Sequence, residues 1–288
     1  MDWALIITAV VVIVAIGFDF TNGFHDAANA IATSVGTRAL APVTALALAA
    51  VFNFIGAFIG YWTGSGVAKT IQSVTTPPTG YAGLALVAAA LGGAIGWNLV
   101  TWRLGLPSSS THALIGGVVG AALVAGTIVE WGTVWEKVII PMVTSPFVGL
   151  ILAFLVMRLI VVIFRNKNPQ KVGGGFRHAQ SVSACAMAMG HGMQDAQKTM
   201  GVIFLLLISM GYASASDEMP VWIVFACAGA ISIGTAVGGK RIMKTLGRRI
   251  IDLDPARGFS AESVSATVLY VTALGLDAPV STTQVITG

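Results

Sequence analysis

Two short runs hold the residues able to do chemistry. "NGFHDAAN" (22–29) and "HGMQDAQK" (191–198) each place an aspartate three residues after a glycine, inside a long apolar stretch. A carboxylate in hydrocarbon costs roughly 3 kcal/mol or more, so Asp26 and Asp195 are functional candidates by default. A plain alternative is that each caps the helix that follows, since Asp is a good N-cap. Gly23 and Gly192 would let the backbone unwind and free carbonyls for a cation. Asn22 and Asn29 add neutral oxygens. That set suits a hard monovalent cation, or a carboxylate that takes up and releases a proton. Lys198 stands where the first run has Asn29, and either neutralises Asp195 or touches an anion.

Two hydroxyl runs form a second pair. "PSSSTHALIGG" (107–117) aligns with "PVSTTQVITG" (279–288), matching Ser109 to Ser281 and Thr111 to Thr283. Ser108, Ser109, Ser110 and Thr111, and Ser281, Thr282 and Thr283, follow a proline and precede an apolar helical stretch. Hydroxyls and free N–H groups at a helix start form an anion site, unless they only cap the helix. Carboxylates beside an anion would repel it without an intervening cation or proton, so the two pairs together point to an anion carried with cations.

The offsets tie the pairs together. Asp195 lies 169 residues after Asp26, and Pro279 lies 172 after Pro107. Two motifs at nearly one offset read as a duplication.

The chain that must position these residues is 56% hydrophobic and only 10% charged over 288 residues, with a mean hydropathy of +0.84. Soluble domains are about 25% charged. The apolar runs reach the roughly 20 residues that span a bilayer and are too long for barrel strands. Expected membrane segments are about 3–33, interrupted by the polar run, 42–63, 83–104, 113–129, 138–164, 179–212, again interrupted, 221–238 and 263–276. Met1-Asp2-Trp3 lacks a basic start, so the first run reads as a retained span. G-x-x-x-G spacings at Gly56/Gly60, Gly92/Gly96 and Gly116/Gly120 allow close helix packing. Cys185 and Cys227 read as small buried hydrophobes. Trp97, Trp102, Trp131 and Trp222 read as interface anchors.

Basic residues gather in loop 165–178 (Arg165, Lys167, Lys171, Arg177) and loop 240–257 (Lys240, Arg241, Lys244, Arg248, Arg249, Arg257). Both should be cytoplasmic, which counts the N-terminus outside. The net charge of +4 belongs to these loops rather than to a nucleic-acid face. Five spans separate the copies, so the second enters from the opposite side. Inverted repeats with polar breaks mark secondary transporters. The expected fold is therefore an all-α polytopic membrane protein of two inverted-topology repeats with broken or re-entrant helices. Its units are a first repeat at 1–164, the basic loop at 165–178, and a second repeat at 179–288, which stops where the first copy continues and reads as truncated.

With "NGFHDAANAIATSVGTRAL", "GHGMQDAQKTMG" and the paired "SSSTH" and "VSTTQ" loops in view, the sequence resembles the inorganic phosphate transporter (PiT) family, in its bacterial form. The resemblance implies import of inorganic phosphate across the cytoplasmic membrane by symport with Na⁺ or H⁺, with no tightly bound cofactor. It also implies frequent dimers and, in bacterial members, phosphate travelling as a divalent-metal complex. By the resemblance, Asp26 and Asp195, with Asn22 and Asn29, take the coupling cation. Asp26, Asp195, Ser109, Ser110, Thr111, Ser281, Thr282 and Thr283 hold phosphate, with Lys198 as a charge partner. Gln194 and Gln284 depart from the family's Asn and His. A sulfate permease of the same architecture is the near alternative. An intramembrane aspartyl protease lacks its G-x-G-D context here, and no H-E-x-x-H motif occurs. His25 and His191 show no zinc-like spacing, so no metal site is expected. A passive channel would leave the paired aspartates unexplained.

Overall fold

The computed structural model describes residues 3–238 and 253–287. Among them every regular element is helical. The helices are α1 (Trp3–Gly36), α2 (Pro42–Trp62), α3 (Gly66–Gln72), α4 (Tyr81–Leu104) and α5 (Ser110–Val124). They continue with α6 (Trp131–Phe164), α7 (Pro169–Ser209), α8 (Val221–Val237), α9 (Pro255–Leu274) and α10 (Thr282–Thr287). Four of them, α1, α2, α4 and α6, are long and apolar enough to cross a membrane.

Prolines open several helices at the position where a missing N–H costs nothing. Pro42 starts α2, Pro169 starts α7 and Pro255 starts α9. Asn168 caps α7 through Gln170 N–H at 2.9 Å, and Asp254 caps α9 through Ala256 and Arg257 N–H, both at 2.9 Å. These caps shift the expected boundaries. The segment 165–178 is not a loop over its length, because α7 has begun by Pro169. The last long helix starts at Pro255, well before residue 263. Of the second basic loop, Lys240, Arg241, Lys244, Arg248 and Arg249 lie outside the described residues. In the segment between α2 and α4, α3 forms and buries Val67, Ala68 and Ile71.

α7 is the axis of the molecule, packed by α2, α9, α3, α1 and α8. Its buried residues include His191, Gln194, Asp195, Gln197 and Lys198. So polar a helix is tolerated because protein, and not lipid, surrounds it. α6 is the reverse. Within Ile140–Phe164 only Ser145, Gly149 and Ile160 are buried, while Phe147, Phe154 and Val162 face outward.

The expected interruptions at the aspartates do not occur. α1 and α7 run as continuous helices through Gly23 and Gly192. The glycines serve close approach instead. A Cβ on Gly23 would strike the Ile231 carbonyl of α8, and one on Gly234 the Phe20 carbonyl of α1. Likewise Gly192 meets the Asn53 backbone of α2, and Gly56 meets the Met189 carbonyl of α7. The breaks fall at the hydroxyl runs, between α4 and α5 and between α9 and α10. Of the three G-x-x-x-G pairs only Gly56/Gly60 packs. Gly92, Gly96, Gly116 and Gly120 have nothing within 4 Å of a Cβ, because no described helix covers that face. Trp102 packs edge-on against Phe24 at 5.2 Å and is no simple interface anchor. Cys227 is buried, while Cys185 is half-buried.

Overpacking of this kind costs about 1–3 kcal/mol. Gly56→Ala and Gly234→Ala should lower the thermal midpoint in detergent, and Gly92→Ala and Gly116→Ala should leave it unchanged.

Candidate functional site

α1 sets Asn22, Asp26 and Asn29 on one face, at helical spacings of four and three. α7 does the same with His191, Asp195 and Lys198, the residues 169 positions on. All six side chains are buried. The two faces meet: Asn22 Nδ2 donates to Asp195 Oδ2 at 3.4 Å. Neither aspartate is a helix cap, since both lie in mid-helix.

The hydroxyl runs enter from either side, and their bonds are reciprocal. Asn29 Nδ2 donates to Thr283 Oγ1 at 2.8 Å, and Thr283 donates to the Ser108 carbonyl at 3.1 Å. From α7, Lys198 Nζ donates to Thr111 Oγ1, and Thr111 donates to the Val280 carbonyl at 3.4 Å. Asn29 of α1 therefore holds the 281–283 run and Lys198 of α7 the 108–111 run, and each run also bonds the backbone of the other. Thr282 is also within 3.5 Å of Asn29. Ser109 and Ser281 are placed differently. Their oxygens accept from His112 N–H and Gln284 N–H, each at 3.3 Å, as caps of α5 and α10.

Lys198 spends all three hydrogens, on the Asp195 carboxylate, on Thr111 and on the Val280 carbonyl at 3.1 Å. Lys198 is thus ion-paired with Asp195 three residues before it. Ser110 lies within hydrogen-bond reach of both Asp26 Oδ2 and Asn22 Oδ1, with one proton to give. His25 presents Nε2 to Thr101 Oγ1 at 3.0 Å, while Thr101 donates to the Trp97 carbonyl at 2.9 Å. Nε2 must therefore carry hydrogen. His25 Nδ1, 2.8 Å from Asp26 Oδ1, meets the carboxyl through a second proton held by one or the other.

Two buried acids escaped the sequence reading. Asp19, two turns before Asp26 on α1, accepts from Thr199 at 2.9 Å and leaves Oδ2 without a partner. Glu262 on α9 accepts from Thr33, Ser34 and Gln180, and from Ser183 at 2.6 Å. An acid inside an apolar run was the available signal at Asp19. Glu262 sat beyond the expected boundary of its helix. Among the buried described residues Lys198 is the one lysine or arginine, against Asp19, Asp26, Asp195 and Glu262. The site is thus rich in acceptors and short of positive charge.

Comparison with known proteins agrees with this chemistry. The profile of the phosphate transporter family matches residues 22–173 and 164–288. A probable low-affinity inorganic phosphate transporter of Bacillus subtilis is 43% identical over 288 residues, covering 99% of this chain and 85% of the relative. One of the same description from Mycobacterium tuberculosis is 43% identical over 291 residues, covering 100% of this chain and 68% of its own length. A solved structure titled the sodium-dependent phosphate transporter superposes with a TM-score of 0.86 at 25% identity, covering 97% of this chain and 87% of that one.

Removing one partner of a buried ion pair costs about 3–5 kcal/mol. Lys198→Met should therefore destabilise the protein by that order in detergent unfolding. Adding Asp195→Asn should return most of the loss in a double-mutant cycle.

Proposed function

The chain belongs to the phosphate transporter family, and on that premise we propose that it imports inorganic phosphate together with Na⁺ or H⁺. It is a multi-pass membrane carrier and not an enzyme; its relatives are named as transporters. The observation that carries the coupling is the charge count. Asp26 and Asp195 face one buried lysine whose hydrogens are already committed. An oxyanion brought beside them needs added positive charge, which one or more cations would supply. Asp26 and Asp195, with Asn22 and Asn29 at their sides, receive the cation. Ser110, Thr111, Thr282 and Thr283, at the starts of α5 and α10, receive phosphate oxygens, with the positive helix ends behind them. Ser109 and Ser281 hold those helix starts in shape.

The reciprocal bonds between Asn29 and Thr283 and between Lys198 and Thr111 support reading residues 1–164 and 179–288 as inverted copies of one unit. In that reading the carrier sits in the cytoplasmic membrane with its N-terminus outside and the segments 165–178 and 240–257 inside, and it pairs as a homodimer. Phosphate is favoured over sulfate because an acceptor-rich site suits an anion that still has a proton to donate.

Radiolabelled phosphate uptake into proteoliposomes tests this. Uptake should follow an imposed Na⁺ or pH gradient and resist excess sulfate. Asp26→Asn and Asp195→Asn should each cut it at least about tenfold, the loss of one charge-assisted bond of roughly 1.5–3 kcal/mol. Uptake indifferent to both gradients and both substitutions would sink the symporter, and uptake blocked by sulfate would make it a sulfate carrier.

A further inference from the structure

We propose that the corner where α6 ends and α7 begins binds an anionic phospholipid of the cardiolipin type, with two phosphates and several acyl chains. This surface is remote from the buried aspartates: Lys171 stands roughly 36 Å from Asp195 along α7. The inference therefore holds whichever anion and cation the chain carries.

Two apolar grooves meet there. One, of about 420 Å³, runs between the end of α6 and the starts of α7 and α9. The other, of about 450 Å³, follows the first turns of α7. Phe164, Lys167 and Val172 line both, so a ligand with more than one chain can fill the pair from a single headgroup. Around this shared mouth Arg165, Lys167 and Lys171 are exposed, and among the described residues none of the three meets a carboxylate. The one acid lining either groove, Asp254, caps α9 and pairs with Arg257 at 3.3 Å. Since α6 turns apolar side chains outward as far as Phe164, these cations stand at the rim of the apolar span, where lipid phosphates lie. Basic pockets beside transmembrane helices recognise anionic headgroups.

Gly173, Gly174 and Gly175 are an independent indication. Glycine is unfavourable inside a helix, and where it recurs it normally lets a second helix approach. Here nothing lies within 4 Å of a Cβ placed on any of the three. Gly173 lines the first groove and Gly175 the second. Bare backbone on both sides of one turn lets hydrocarbon chains lie against α7, with Phe164 and Phe176, in edge contact at 5.5 Å, as a wall. Two phosphates facing three cations, and several chains facing two grooves, match a diphosphatidylglycerol better than a lipid with one phosphate. So bound, the lipid ties the start of α7 to α6 across the segment that joins the two proposed copies.

The test is a lipid titration of the purified full chain in detergent, with bound lipid counted by native mass spectrometry and inorganic phosphate at one fixed excess in every sample. One cardiolipin per chain is expected to bind saturably, and phosphatidylcholine should not. Arg165→Gln, Lys167→Gln and Lys171→Gln together should weaken cardiolipin binding about 100-fold, from a factor of about five per cation. Gly173→Leu with Gly175→Leu should abolish it by filling both grooves. The thermal midpoint of that variant without lipid should hold or rise, because leucine is the better helix former. Phosphatidylcholine binding as well as cardiolipin, unchanged affinity in the triple-glutamine variant, or cardiolipin retained by the double-leucine variant would each overturn the site.

Discussion

Burying carboxylates inside a bundle of largely apolar helices is the constraint from which the rest of the structure follows. Asp26 and Asp195 would be too costly there unless donors or cations reach them. Three elements supply them. α7 brings Lys198, α1 brings Asn22 and His25, and the start of α5 brings Ser110. Each carboxylate oxygen of the two aspartates thereby meets a partner.

The constraint also explains why the most polar long helix is the most enclosed. α7 could not face lipid with these side chains exposed, so α1, α2, α3, α8 and α9 surround it. Enclosure at that density needs backbones in contact, which glycine alone permits at Gly23, Gly56, Gly192 and Gly234. The outer helices are left with apolar faces, and α6 is nearly all of that kind.

Much of the site was legible from residue types. Asp, Asn and Lys in apolar surroundings are conspicuous, and one offset linked both motifs. The fold class followed from composition and the length of the apolar runs. The position of the breaks was not legible. A glycine beside an aspartate reads alike whether the backbone unwinds or another helix closes on it, and only the neighbour decides. Ser109 and Ser281 looked like their hydroxyl neighbours, yet their oxygens are turned to backbone N–H groups. The meeting of Asn22 with Asp195 joins two helices far apart in the chain, which no local spacing records.

The continuity of α7 has a mechanical consequence. Forty-one residues at about 1.5 Å each make a rod of roughly 60 Å, twice the thickness of the hydrocarbon layer. Asp195 and the Gln180–Ser183 grip on Glu262 are fixed to the same rod. α7 is unbroken on both sides of Asp195, so a local hinge there would have to open the helix. Any change in what it faces is a movement of the whole lever, felt at Glu262 about 18 Å along the axis.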